Sequence, residues 1–116
     1  MTAARPGQLQ VFKAEFFKAL AHPLRIRILE LLLDGQCSVQ ELQTSLKTDQ
    51  PIVSQQLAIL RAKNIVEARK QGAATRYAVR DPALGELLSA ARKIFNKHLV
   101  GTQSMLRELT RESRRR

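Results

Sequence analysis

The sequence predicts a mainly α domain with one small β-hairpin, an α+β arrangement of about five helices and a two-stranded ribbon. Three observations predict it. Apolar residues recur at helical spacing up to about residue 62 and again after residue 82, while between them the period drops to two. Proline, glycine and short polar residues stand where one pattern gives way to the next.

Residues 1–7 (MTAARPG) are small and broken by Pro6-Gly7, and read as a flexible leader. Leu9, Phe12, Phe16 and Leu20 then mark a first helix of about a dozen residues, its stripe widened by Phe17. Three of the four phenylalanines lie here. So much aromatic surface on one helix must pack against a core or a second subunit.

A second helix starts where His22 can cap and Pro23 takes the first helical position, and it stops at Gly35. Its expected buried stripe is Leu24, Ile28, Leu31 and Leu32. Ser38-Val39-Gln40-Glu41 is a capping box opening a short third helix with Val39, Leu42 and Leu46 inward. After a turn at Lys47-Thr48, Asp49 can cap a fourth helix, and Pro51 costs little in its first turn.

At about 100° per residue, Val53, Leu57 and Leu60 of this fourth helix fall within about 60° of one another and face inward. Pro51, Ser54, Gln55, Ala58 and Ala62 lie on the opposite side, Gln50 stands at its edge, and Gln56 borders the buried stripe. No acid interrupts that outer face. The helix can lie close to another surface there.

From Ile65 the alternation Val66, Ala68 against Glu67, Arg69, then Thr75, Tyr77, Val79 against Arg76, Ala78, Arg80, predicts a hairpin turning in the loop from Lys70 to Ala74. Asp81-Pro82 caps a long fifth helix with the stripe Leu84, Leu87, Leu88, Ala91, Ile94, Phe95 and His98/Leu99. Gly101 is the expected stop, with a frayed last turn from Met105 to Leu109 before the Arg114-Arg115-Arg116 tail. The organisation expected is therefore a leader at 1–7, one domain at 8–101 and a basic tail at 102–116.

Charge is placed as unevenly as shape. The 116 residues carry a net charge of +10, yet residues 1–60 hold six Lys/Arg against five acids, and residues 61–116 hold fourteen against five. The second half therefore suits a polyanion, and nucleic acid is favoured over membrane because no segment reads as a basic amphipathic anchor. The single cysteine, Cys37, excludes an intrachain disulfide and a multi-thiolate metal site within one chain. No signal peptide or membrane span is legible, so the cytoplasm is the expected compartment. An enzyme is not expected: there is no Ser/His/Asp set, no paired carboxylates in a pocket-like context and no phosphate-binding glycine loop.

Two short helices joined by a tight turn, the second with a polar outer face, followed at once by a basic hairpin, form the layout of a winged helix-turn-helix. A helix about 10–12 Å across fits the major groove, and a hairpin beside it can lay cations on phosphates. The segments FKALAHPLRIRILELLL (17–33), SVQEL (38–42) and QPIVSQQLAILRAKNIV (50–66), with Arg76-Tyr77 closing the hairpin, resemble the arsenic-repressor (ArsR-type) family of bacterial transcriptional regulators. The likeness spans roughly residues 9–100.

The resemblance implies a homodimeric repressor, joined through its first and last helices, that binds a palindromic operator and is released by a chemical signal: metal, redox or a small ligand. It matches the family's recognition helix to Asp49 through Ala62, so Gln50, Pro51, Ser54, Gln55 and Gln56 are the expected DNA-contacting set, with Arg69, Lys70 and Arg76 on wing phosphates. Phe12, Phe16, Leu87, Leu88, Ala91 and Phe95 are the expected dimer interface, which the excess of apolar side chains on these two helices also demands.

The chain departs from metal-sensing relatives. Where they place Cys-X-Cys, this sequence has Ser38-Val39-Gln40, and its last helix opens Asp81-Pro82-Ala83 and offers only His98. No cofactor and no metal set is recognisable. His22 reads as a cap and His98 as an interface residue. Cys37 reads as a small semi-buried residue, with a one-thiol redox sensor as its alternative. The competing function is a winged-helix protein-interaction module without specific DNA binding.

Overall fold

The computed structural model describes residues 7–115, leaving aside the side chains at 98–101 and 113–115. Six of the seven leader residues, residue 116 and the side chains of His98, Arg114 and Arg115 thus lie outside the described set. Among the described residues the chain forms α1 (Gln8–Leu20), α2 (Pro23–Asp34), α3 (Val39–Leu46), α4 (Gln50–Ala62), β1 (Val66–Gln71), β2 (Ala74–Val79) and α5 (Ala83–Arg115). The elements through β2 form one compact unit ending at Pro82, and α5 belongs to a second.

Local chemistry sets the boundaries in the first unit. The Nδ1 of His22 accepts the N–H of Leu24 at 3.1 Å ahead of Pro23, which relieves one orphan donor of α2. Ser38 and Glu41 close the capping box of α3: Ser38 Oγ accepts from Glu41 N at 3.1 Å, and Glu41 Oε1 accepts from Ser38 N at 2.9 Å. Lys47 then adopts a left-handed conformation (φ 52°, ψ 45°), turning the chain from α3 into α4.

The core of this unit is built mostly from helices. Ile28 and Leu29 of α2, Leu42 of α3, Val53, Leu57 and Leu60 of α4 and Val66 of β1 are almost fully buried, joined by Ala19, Leu20, Leu32, Ile65 and Ala78. In α2 the innermost residues are Ile28, Leu29 and Leu32, whereas Leu24 and Leu31 are half-buried. The inward face is rotated by part of a turn from the expected one because α2 meets α1, α3, α4 and β2. One stripe does not serve so many neighbours.

β1 and β2 pair antiparallel in the register Val66 to Val79, Ala68 to Tyr77 and Gln71 to Ala74. The turn is only Gly72-Ala73, tighter than the five-residue loop expected, and Gly72 takes φ +63°. A two-residue hairpin needs a positive φ there to match the twist of its strands, which glycine supplies without a Cβ clash. Beside β2, Cys37 forms an isolated antiparallel bridge with Tyr77: Cys37 N donates to Tyr77 O at 3.0 Å and Tyr77 N to Cys37 O at 2.7 Å. The hairpin is thereby sewn to the chain entering α3.

α5 corrects one boundary. It is a single helix of 33 residues that continues through Gly101 to Arg115, so residues 102–115 are helical instead of a separate tail. At 1.5 Å per residue it is about 50 Å long. One glycine costs a helix only about 1 kcal/mol, and the good helix formers Gln103, Met105, Leu106, Arg107 and Glu108 follow at once. Ile94, Phe95, Met105, Leu106 and Leu109 are exposed along it. Among the described residues no helix is long and apolar enough to cross a membrane.

Candidate nucleic-acid interface

α4 is anchored by its inner side and free on its outer one. Val53, Leu57 and Leu60 occupy the core, while Gln50, Pro51, Gln55, Ala58, Arg61 and Ala62 are exposed and Ser54 is half-buried. Asp49 stands at the cap position, but its side chain makes no capping bond, so its backbone carbonyl alone takes the N–H groups of Ile52 and Val53, at 3.1 and 3.2 Å. Gln50 and Pro51 open the helix with no acid in the first turn. The only acid at this end is the exposed Asp49 at the cap, whose carboxylate opposes the attraction of the helix N-terminus for a phosphate.

Gln56 does not join this face. It is only 9% exposed and its Oε1 is buried without a hydrogen-bond partner among the described residues. Its helical angle brings it beside Val53 and Leu60 instead of Gln55. Ile52, by contrast, lies outside the set expected from sequence. It is 43% exposed at the start of α4, on the flank beyond Gln55. The signal for it was an apolar residue out of phase with the buried stripe, and such a side chain suits a thymine methyl.

The hairpin lies against the other edge of α4. A surface groove of about 440 Å³ is lined by Ser54, Leu57, Ala58, Arg61 and Ala62 of α4 and by Tyr77 of β2. The wing cations differ in their surroundings. Lys70 is exposed near the tip; Arg69 is exposed and held by Glu67 on its own strand, with Nη2 to Oε1 at 2.6 Å. Arg76, directly across from Arg69 in the ladder, turns to the body of the unit: its Nη2 donates to Gln36 O at 2.9 Å and lies 2.9 Å from Glu41 Oε1.

Cys37 is half-buried, and its Sγ donates to Gly35 O at 3.4 Å. Burial pushes its thiol above the ordinary value, Glu41 adds to this, Arg76 opposes it, and Asp34 adds again. A reactive thiol needs the opposite shift. Among the described residues no three His, Cys, Asp or Glu side chains gather as a metal site would require.

The comparisons with known proteins meet this geometry directly. The sequence profile of the bacterial regulatory proteins of the arsR family matches residues 22–68, from the cap of α2 into β1. The HTH-type transcriptional regulator Rv0081 of Mycobacterium tuberculosis is 45% identical over 102 residues, covering 87% of this chain and 90% of the relative. The chain belongs to the ArsR family. This ArsR-family chain also resembles the crystal structure of Rv0081 with a TM-score of 0.77, over 84% of this chain and 98% of that one.

Two further relatives widen the comparison. The biofilm growth-associated repressor of Xylella fastidiosa is 35% identical over 82 residues, 71% of this chain and 72% of its own. A homodimeric winged helix-turn-helix DNA-binding domain, Mb0332 of Mycobacterium bovis, is 28% identical with a TM-score of 0.72, covering 78% of this chain and 84% of that one. The fold is a winged helix-turn-helix, and the ArsR-family chain is a transcriptional regulator, a non-enzymatic class.

Proposed function

We propose that the chain is a homodimeric repressor that binds a palindromic operator through α4 and the wing. The observation carrying this reading is the acid-free outer face of α4 beside a basic hairpin, both in one compact unit. Gln50, Ser54 and Gln55 read base edges, an amide suiting adenine and a hydroxyl either a base or a phosphate, with Ile52 against a thymine methyl. Arg69 and Lys70 neutralise phosphates and supply salt-dependent affinity. The repressor named from Xylella fastidiosa supports the direction of regulation.

Dimerisation is supported by the apolar surface that each helix leaves in water. Phe12 is 71% and Phe95 59% exposed, and Leu9, Val11, Phe17 and Ile94 add to them. Phe16, half-buried, meets Phe17 edge-on with centroids 5.6 Å apart. Leu87, Leu88 and Ala91 are half-buried on α5. The homodimeric Mb0332 domain supports the same assembly. A two-fold would set the two α4 helices about 34 Å apart, one DNA turn. Release by a chemical signal in the cytoplasm completes the reading.

The test is a selection of genomic fragments with the purified protein, followed by titration of the selected DNA at several salt concentrations. A short palindrome bound by two chains, with affinity falling about 10³ to 10⁵-fold from 50 to 200 mM salt, is the expected result for roughly 6–10 neutralised phosphates. No selected site, or binding indifferent to salt, defeats the reading. Repeating the selection with metals, oxidant and reductant identifies the signal class.

A further inference from the structure

We infer that Arg76 and Glu41 form a clamp that sets the position of the wing against the helix-turn-helix, so that Arg76 acts on DNA binding as a positioning residue. This deepens the DNA-binding reading above and rests on it. The geometry is specific. One guanidinium nitrogen of Arg76 donates to the Gln36 carbonyl and faces Glu41 Oε1, both at 2.9 Å, and the Arg76 side chain is only 26% exposed. The same Glu41 oxygen accepts from Ser38 N and so closes the capping box of α3.

A single carboxylate oxygen therefore joins the start of α3 to the second strand of the wing. One residue along, the Cys37 to Tyr77 bridge adds two backbone hydrogen bonds across the same seam. The ladder explains why an arginine there needs such partners. Arg69 and Arg76 stand directly opposite each other, and like charges so placed repel. Glu67 answers one and Glu41 the other. Arg69 is tied only within its own strand, whereas Arg76 is tied to a segment 40 residues away. The first can swing to a phosphate, while the second holds the ribbon that carries it.

The two roles make opposite predictions for Glu41. An acid beside a polyanion should weaken binding, so its removal should tighten the complex if it does nothing else. A clamp predicts the reverse. Glu41→Gln keeps the capping box, since glutamine also closes one, but replaces the ion pair with Arg76 by a weaker hydrogen bond to a neutral amide oxygen.

The experiment measures DNA affinity against salt for the native protein, Arg76→Met and Glu41→Gln. Amide hydrogen exchange at Cys37 and Tyr77 is measured in parallel on the free proteins. The clamp predicts affinity about tenfold lower for Arg76→Met and several-fold lower for Glu41→Gln, a salt slope unchanged for both, and faster exchange at both amides. A slope reduced by about 0.9 in Arg76→Met with exchange unchanged marks a phosphate contact and overturns it. Tighter binding by Glu41→Gln also overturns it. If the native protein binds no DNA, the function reading fails alone, and the exchange rates still decide whether the clamp exists.

Discussion

α4 and the wing lie side by side, and they are built on opposite plans. α4 carries one charged residue, Arg61, and sinks Val53, Leu57 and Leu60 into the core, so its outer face is held by what lies behind it. The hairpin carries Glu67, Arg69, Lys70 and Arg76 and buries little beyond Val66 and Ala78, so it is held at its base and open at its tip. A surface with a single charge, held from behind, discriminates by shape and hydrogen bonding, while a charged ribbon attracts without discriminating. The net charge of +10 thus says little about which sequence the protein would choose.

The contrast breaks most severely from behind α4. Leu57 is 1% exposed and faces the centre of the first unit. Leu57→Ala should cost about 2–5 kcal/mol through lost transfer energy and an unfilled cavity, read as a lower urea midpoint. If the variant unfolds at the native midpoint, α4 is not anchored as described. Next in size is the outer face itself. Ser54→Ala with Gln55→Ala should remove about 1–3 kcal/mol of discrimination for each base pair those side chains read. Stability should stay within about 0.5 kcal/mol for such surface changes. Undiminished preference for the selected operator would transfer recognition elsewhere.

The wing sharpens the comparison with a different observable. Lys70→Gln should lower the salt slope by about 0.9, the value for one phosphate, and weaken operator and random DNA alike. A change confined to the operator would mean that Lys70 reads sequence, and the division of labour between helix and ribbon would fall.

How far all this was legible depends on the reach of each interaction. The caps at His22 and Ser38 span three residues or fewer, and their chemistry is complete within the local sequence. The outer face of α4 follows from helical geometry alone, which also placed Gln56 on the border where the structure finds it buried. The end of α5 is not legible at Gly101, because a lone glycine is a weak stop when strong helix formers follow it. The partners of Arg76 are not legible, because nothing near it in the sequence identifies Gln36 or Glu41. Contacts made across 40 residues belong to the fold.

The smallest effect comes from protons, and its sign separates the seam from the tip. The hydrogen bond from Ser38 N, reinforced by the Arg76 guanidinium, holds the Glu41 carboxyl below its ordinary value near 4.5. A carboxylate with a folded pKa below its unfolded one adds stability above the unfolded value, and that stability fades as pH falls through the folded one. Exchange at Cys37 and Tyr77 should therefore quicken as pH falls below that ordinary value, once intrinsic exchange rates are divided out. Glu41→Gln should flatten that dependence while leaving exchange at the Gly72-Ala73 tip unaltered. If the tip responds as strongly as the seam, the hairpin opens as one piece and its base is no firmer than its end.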